Sequence, residues 1–263
     1  MGRRLGQHFL FDPGILGRIA DAALLTGDDV VLEIGPGKGP LTRELASRCA
    51  RVVAIETDRE LAALLTERPP AANVEIITGD ALRVSWPEAD VITGNIPYQI
   101  TSPLIERALT PPRPRRIVFL VQLEVADRLA APAGSEHYGA MSAGVQLVAE
   151  VEKLFTVKAG AFHPPPQVDS AVVRITPRDR PIGRSDDQAI ERQTRALIAA
   201  LFQRRRQQIQ RSLRDYLSRS PLTAHRSPEI VARLQEAGFD PQARPEQLTP
   251  EQFTQLARLF PVS

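Results

Sequence analysis

Short apolar runs alternate with segments of helical spacing along the first two-thirds of the chain. The runs lie at Val30–Gly39 (VVLEI before a glycine turn), Arg51–Asp58, Val74–Thr78, Asp90–Gly94 and Arg116–Gln122. Runs of this kind suit strands buried on both faces of a parallel sheet. Between them, Leu41, Leu45, Ala46 and Cys49 form one stripe of a helix over Leu41–Ala50. Ahead of the first run, Asp12-Pro13 reads as an N-cap and first turn, with Ile15, Leu16, Ile19 and Ala23 on one helical face. Gln7-His8-Phe9-Leu10 has no clear period and predicts no element. After Tyr98 a short helix is expected from about Ser102-Pro103, and EVADRLA forms another behind the fifth strand. His137-Tyr138-Gly139 opens a helix expected to reach about Glu150. VEKLFTV and Asp169–Ile175 then read as two strands joined by KAGAFHPPPQ, an antiparallel hairpin for the sheet edge. The fold class is α/β, a Rossmann-like sheet followed by a small all-α region.

That last region begins after a Pro, Gly and charge-rich stretch, which predicts a catalytic domain over 1–177, a linker over 178–187 and a helical domain over 188–263. Charge follows the same division. Residues 1–177 carry 18 basic and 21 acidic side chains, a net −3, whereas 178–263 carry 15 and 10, a net +5. Arg204, Arg205, Arg206, Arg211, Arg214 and Arg219 fall in one expected helical stretch whose other face is Ile209, Leu213, Tyr216 and Leu217. Such a basic face suits phosphate contacts; Arg3, Arg4, Arg113, Arg115 and Arg116 are lesser candidates. A final amphipathic helix is expected over Pro245–Phe260. No run approaches the ~20 apolar residues of a membrane span, and MGRRLGQHFL has no signal-peptide core. One cysteine, Cys49, excludes a disulfide framework and a thiolate metal cluster. A cytoplasmic monomer with no metal and no membrane partner is expected.

Chemistry concentrates where the expected strands end. Glycines 35, 37 and 39 follow the first run, and Glu33 stands two positions before them. Glycine permits close approach of the backbone to a ligand and positive φ. The spacing is G-x-G-x-G, with Pro40 in the slot of the third glycine of the dinucleotide fingerprint. This fits a smaller ligand with a cationic end and a ribose. Glu56, ending the second strand, is placed to accept both ribose hydroxyls. Asp80, after the third, is placed to accept from an adenine amino group. Asn95-Ile96-Pro97-Tyr98 follows the fourth and resembles the (D/N/S)-(I/P)-P-(Y/F/W) pattern of enzymes that methylate planar amino nitrogens. An exocyclic adenine nitrogen is a poor nucleophile because its lone pair is delocalised. Acceptors at the Asn95 side chain and the Ile96 carbonyl favour a pyramidal nitrogen, Pro97 aims that carbonyl, and Tyr98 stacks on the base. Methylation at carbon five of a pyrimidine needs a cysteine nucleophile, and Cys49 is elsewhere. Hydride transfer is disfavoured by Pro40.

The glycine turn resembles the first motif of class I S-adenosylmethionine (SAM) methyltransferases. GQHFL, EIGPGKGPLT, AIETD, GDAL, GNIPYQITSPL, FHPPPQVDSAVVRI and FQRRRQQIQRSL together resemble the KsgA-type small-subunit rRNA adenine dimethyltransferases over nearly the whole chain. The large-subunit Erm enzymes share the earlier motifs, whereas Phe162–Val172 and Tyr138-Gly139 favour the KsgA type. The resemblance implies SAM contacts at His8, Leu10, Gly35, Glu56, Asp80 and Asn95, with Gly37 in the same turn, and Phe162 in the target-base pocket. Position 8 is often Asn in that family. It implies N6,N6-dimethylation of two adjacent adenosines near the 3′ end of small-subunit rRNA, on the rRNA or a precursor subunit. A role mainly in subunit assembly, and a protein-glutamine methyltransferase with its related N-x-P-Y site, are the other readings; the basic C-terminal region disfavours the second.

Overall fold

The computed structural model describes residues 8–178, 185–218 and 227–261. Arg3, Arg4, Arg219 and most of the expected linker lie outside the described residues. The chain divides into two compact units, Met1–Asp127 with Ala149–Arg178, and Arg128–Val148 with Asp179–Ser263.

The first unit begins with β1 (Phe9–Leu10) and α1 (Pro13–Ala22), then alternates β2 (Val30–Ile34), α2 (Pro40–Ala46), β3 (Arg51–Glu56), α3 (Arg59–Glu67) and β4 (Val74–Thr78). It continues with β5 (Val91–Asn95), α4 (Thr101–Ala108), β6 (Arg116–Gln122) and α5 (Leu123–Ala130), the last crossing the unit boundary. After the excursion into the second unit come β7 (Ala149–Val157), β8 (Phe162–His163) and β9 (Ser170–Pro177). Among the described residues the main sheet has the order β4-β3-β2-β5-β6-β9-β7. The pairs from β4 to β6 are parallel, and β9 runs antiparallel to both β6 and β7. The later strand of the expected hairpin is therefore inserted between β6 and β7. Strand order reverses between β2 and β5, which opens a crevice beyond their carboxyl ends, where ligands bind in such sheets.

Local chemistry explains the joints. The Asp12 carboxylate accepts the Ile15 N–H at 3.0 Å, with Pro13 in the first helical turn. Asp58 caps α3 by accepting from Glu60 and Leu61, which ends β3 at Glu56 instead of carrying it to Asp58. Pro40 sits at the first position of α2, where its missing N–H is lost to nothing. The core beneath these helices joins Leu16, Ile19, Leu41, Leu45, Val52, Val118, Phe162 and Val172.

The second unit holds α6 (Ala140–Gln146), α7 (Ser185–Phe202), α8 (Ile209–Leu217), α9 (Ser227–Glu236) and α10 (Pro250–Leu259). Residues 128–148 belong to it, contrary to a single boundary at 177, because Tyr138 is its anchor. That side chain is fully buried, its hydroxyl donates to the Leu248 carbonyl at 2.9 Å, and its ring meets Phe202 edge-on. α6 is shorter than expected: the chain turns at Leu147–Val148, and β7 already pairs with β9 at Ala149. The expected arginine helix is also interrupted, since residues 203–206 form a turn before α8. Arg204 pairs with Asp215 and Arg205 with Glu246, contacts a straight helix would not give. The C-terminal helix starts at Pro250 because Thr249 and Gln252 form a reciprocal capping box. No helix among the described residues is long and apolar enough to cross a membrane.

The β2–β5 contact admits no side chain at Gly94, where a Cβ would lie 2.4 Å from the Ile34 carbonyl oxygen. Gly94→Ala is expected to lower unfolding free energy by about 2–3 kcal/mol, the upper range for overpacking. An unchanged denaturant midpoint would overturn that close approach.

Candidate active site

The crevice holds a cavity of about 250 Å³. Its lining includes His8, Leu10, Gly35, Gly37, Glu56, Asp80, Asn95, Ile96, Pro97 and Tyr98, so the expected cofactor and catalytic residues, apart from Phe162, meet in one place, whereas Arg115 and Arg116 lie elsewhere, on Asp29 and the Ala23 carbonyl. Phe9 and Glu33 line it as well.

The glycine turn shapes the floor. Gly35, Gly37 and Gly39 all have positive φ, between 60° and 79°. At Gly37 the positive φ favours glycine, and a Cβ would stand a tight 3.0 Å from the Phe9 ring. Gly37 N–H donates to Glu56 Oε2 at 3.0 Å, and Asp58 N–H donates to Oε1 at 2.9 Å. Burial pushes the Glu56 carboxyl upward from its ordinary pKa, while the N–H groups of Asp58, Gly37 and Thr57 pull it back. Each carboxylate oxygen keeps a lone pair for a ligand hydroxyl. Asp80 is a more solvated acceptor; its Oδ1 takes the Leu82 N–H at 2.9 Å and its other oxygen lies 3.4 Å from Arg83.

Glu33 is different. It is 1% exposed, and burial pushes its pKa up to about 7, with the Glu56 charge adding to the rise. The Thr42 hydroxyl opposes this, but neither Thr42 Oγ1 nor Glu33 Oε2 finds a partner at hydrogen-bonding distance, so burial prevails. An orphaned acceptor on a cavity wall fits a cationic ligand group.

At the end of β5, the Asn95 amide nitrogen donates to the His8 carbonyl at 2.9 Å, which orients the amide and leaves its oxygen as the acceptor. The rings of His8 and Tyr98 stack with centroids 5.9 Å apart. His8 Nδ1 donates to the Pro164 carbonyl at 2.8 Å, and the Tyr98 hydroxyl meets Ser170 Oγ at 3.0 Å. Ser170 and Pro164 carry no recognisable motif role in the sequence; the only signal was their place in FHPPPQVDS.

Phe162 requires correction. It is 4% exposed within the core and does not line the cavity; its backbone pairs with Leu10, joining β8 to β1. Its partner Leu10 does line the cavity. In the second unit, Arg204, Arg205, Arg206, Arg211 and Arg214 are exposed. Arg204 and Arg214 share Asp215, and Arg205 also donates to the Glu136 carbonyl at 2.7 Å. Arg206 and Arg211 have no ion-pair partner among the described residues.

A parallel sheet with an antiparallel edge pair, and a glycine turn facing an acidic strand end at its switch point, define a SAM methyltransferase fold. The sequence model of the ribosomal RNA adenine dimethylase family matches residues 2–245, and the chain belongs to that family. It is 40% identical to ribosomal RNA small subunit methyltransferase A of Myxococcus xanthus over 96% of this chain and 88% of the relative. A probable enzyme of the same name from Pyrococcus abyssi is 40% identical over 81% of this chain and 75% of its own length. A dimethyladenosine transferase from Plasmodium falciparum superposes with a TM-score of 0.85 at 28% identity, covering 96% of this chain and 97% of that one. The 23S rRNA methyltransferase ErmE gives 0.74 at 31% identity, covering 96% and 99%.

A carboxyl with a folded pKa near 7 and an ordinary value of 4.5 holds its proton longer in the folded chain. Its stabilising neutral form is present below about pH 4.5 and lost as pH rises through 7. In the ligand-free protein, Glu33→Gln is expected to gain about 3 kcal/mol relative to wild type between those limits. Denaturant unfolding across pH checks this, and a pH-independent difference would remove the buried-carboxyl assignment.

Proposed function

We propose that this chain transfers methyl groups from SAM to N6 of two adjacent adenosines near the 3′ end of small-subunit rRNA, on the rRNA or a precursor subunit. The observation that carries this reading is the Asn95–Tyr98 corner, whose side-chain amide is oriented by the His8 carbonyl within the cavity that also holds Glu56 and the glycine turn. The relatives named small subunit methyltransferase A support the choice of ribosomal subunit.

The residues fit SAM on two grounds. Glu33 Oε2 is an orphaned buried acceptor for a cationic end, and Gly37 leaves no side chain between backbone and ligand. When bound, SAM supplies an electrophilic methyl on a sulfonium. Glu56 accepts the ribose hydroxyls, Asp80 the adenine amino group, and His8, Leu10 and Gly35 line the remaining walls. Asn95 Oδ1 and the Ile96 carbonyl would accept the hydrogens of the target N6 and so hold its lone pair free of the ring. Pro97, at φ −56° and ψ 129°, holds the backbone extended between them and Tyr98. The Tyr98 ring stacks on the base, which must leave its own stack to enter. Most of the rate then comes from positioning and from fixed dipoles, with no strong base required. The arginines at 204–206, 211 and 214 supply phosphate contacts in the basic C-terminal region.

Methyl-labelled SAM incubated separately with small and large subunits lacking the modification tests the reading. Label in N6,N6-dimethyladenosine of small subunits is expected, and Asn95→Ala should lower that rate by about 10²–10³. Label in large subunits alone would make the protein an Erm-like enzyme, and undiminished turnover in Asn95→Ala would remove the assigned role.

Arg206 and Arg211, without an ion-pair partner among the described residues, give a separate expectation. Arg206→Ala with Arg211→Ala should weaken rRNA binding and reduce the slope of log affinity against log salt by about 1.4, at roughly 0.7 per single-strand phosphate contact. A slope unchanged in filter binding would place both side chains away from phosphate.

A further inference from the structure

The segment Phe162–Ser170 touches the aromatic corner twice without lining the cavity. Its Pro164 carbonyl holds the His8 ring through Nδ1, and its Ser170 hydroxyl meets the Tyr98 phenol at 3.0 Å across 72 residues of sequence. Tyr98 itself starts a short helical turn, Tyr98–Ile100, and is only half-buried. Two side-chain torsions separate its ring from that backbone, so the turn alone leaves the ring plane free. Ser170 is the opposite case. It is 1% exposed, and it opens β9 in register with Gln122 on one side and Val157 on the other. The preceding Asp169 is also tied down, accepting from Ala159 N–H at 3.0 Å and from Lys158 Nζ at 2.8 Å.

We propose that Ser170 is a positioning residue for Tyr98: its buried hydroxyl fixes the far end of the phenol, so the ring plane is set before a base arrives. The His8 ring, held by Pro164, limits the same tyrosine from its face. The FHPPPQVDS segment thus acts on the target base through Tyr98. This rests on the proposed role of Tyr98 as the base-stacking side chain. A ring set in advance places the target nitrogen in line with the methyl group, and small misplacements of reacting atoms are expensive in rate.

A mutant cycle on small-subunit methylation tests the coupling. Ser170→Ala and Tyr98→Phe are each expected to lower kcat about tenfold, with KM for SAM held within about twofold. The double variant should also lose about tenfold, because both changes remove one contact. A double loss near a hundredfold, or a full-rate Tyr98→Phe, would overturn the proposal. A purely structural Ser170 would instead raise KM for SAM and lower the melting temperature together with kcat. A second measurement needs no RNA. The chain has three tyrosines, so 3-fluorotyrosine labelling gives resolvable fluorine signals, with Tyr98 assigned by its loss in Tyr98→Phe. In Ser170→Ala that signal should shift and sharpen while those of Tyr138 and Tyr216 stay in place. An unmoved Tyr98 signal would overturn the proposal even if neither subunit accepts methyl, an outcome that would separately refute the rRNA reading.

Discussion

Glu56 ends β3 with its carboxylate 2% exposed, and the N–H groups of Gly37 and Asp58 allow a charge to remain there. Burying an ionised group costs several kcal/mol unless its lone pairs are met, and each bond to a charged acceptor returns about 1.5–3 kcal/mol. The bond from Gly37 has a structural consequence beyond its energy. It ties the turn after β2 to the end of β3, two strands that run in register from Val30↔Arg51 to Ile34↔Ile55. The floor of the cavity and its acidic wall are therefore joined directly. Glu33, equally buried and one strand over, has an unbonded oxygen and responds by holding its proton more tightly. The two carboxyls differ in partners more than in burial: burial raises both, and only at Glu56 do backbone N–H groups oppose the rise.

The opposite wall is assembled from segments remote in sequence. Asn95 is oriented from His8, 87 residues away, and His8 is held from Pro164, 156 residues away. The two-residue pairing of β1 with β8 brings these segments together, placing Leu10 beside Phe162 and Phe9 beside His163. The insertion of β9 between β6 and β7, with the hairpin still at the sheet edge, brings Ser170 next to Gln122 at the end of β6. Sheet order and the corner at Tyr98 are in this sense the same fact.

The elements read from apolar period were those whose pattern is local. Buried runs such as Val30–Ile34 and Arg116–Gln122, and the stripe of α1, follow directly from side-chain spacing. Glycine and acid at successive strand ends made the cavity floor legible for the same reason. What stayed hidden depended on tertiary contact. His8–Leu10 has no period of its own and becomes a strand only by pairing with Phe162–His163. Phe162 stood near the expected pocket in motif order, but its side chain turns into the core. Residues 128–148 look continuous with the α/β pattern, and tertiary contacts, above all the burial of Tyr138 against Leu248 and Phe202, draw them into the second unit. The turn at 203–206 was missed because helix propensity is high for arginine, whereas Arg204 and Arg205 satisfy themselves through residues 11 and 41 positions away.

Those two ion pairs would not withdraw the arginines from a phosphate backbone brought to them. The Arg204 side chain is 61% exposed and Asp215 30%, while Arg205 is 43% exposed and Glu246 25%. Exposed pairs of this kind contribute about 0–1 kcal/mol, because water screens the attraction and ordering two long side chains opposes it. Exchanging a carboxylate for a phosphate at one guanidinium therefore costs little, and counterions released from the nucleic acid favour the exchange. In the free protein the same pairs join the turn to Asp215 in α8 and to Glu246. Arg206 and Arg211, unpaired among the described residues, would need no exchange at all. A basic surface built this way would rearrange on contact at almost no cost.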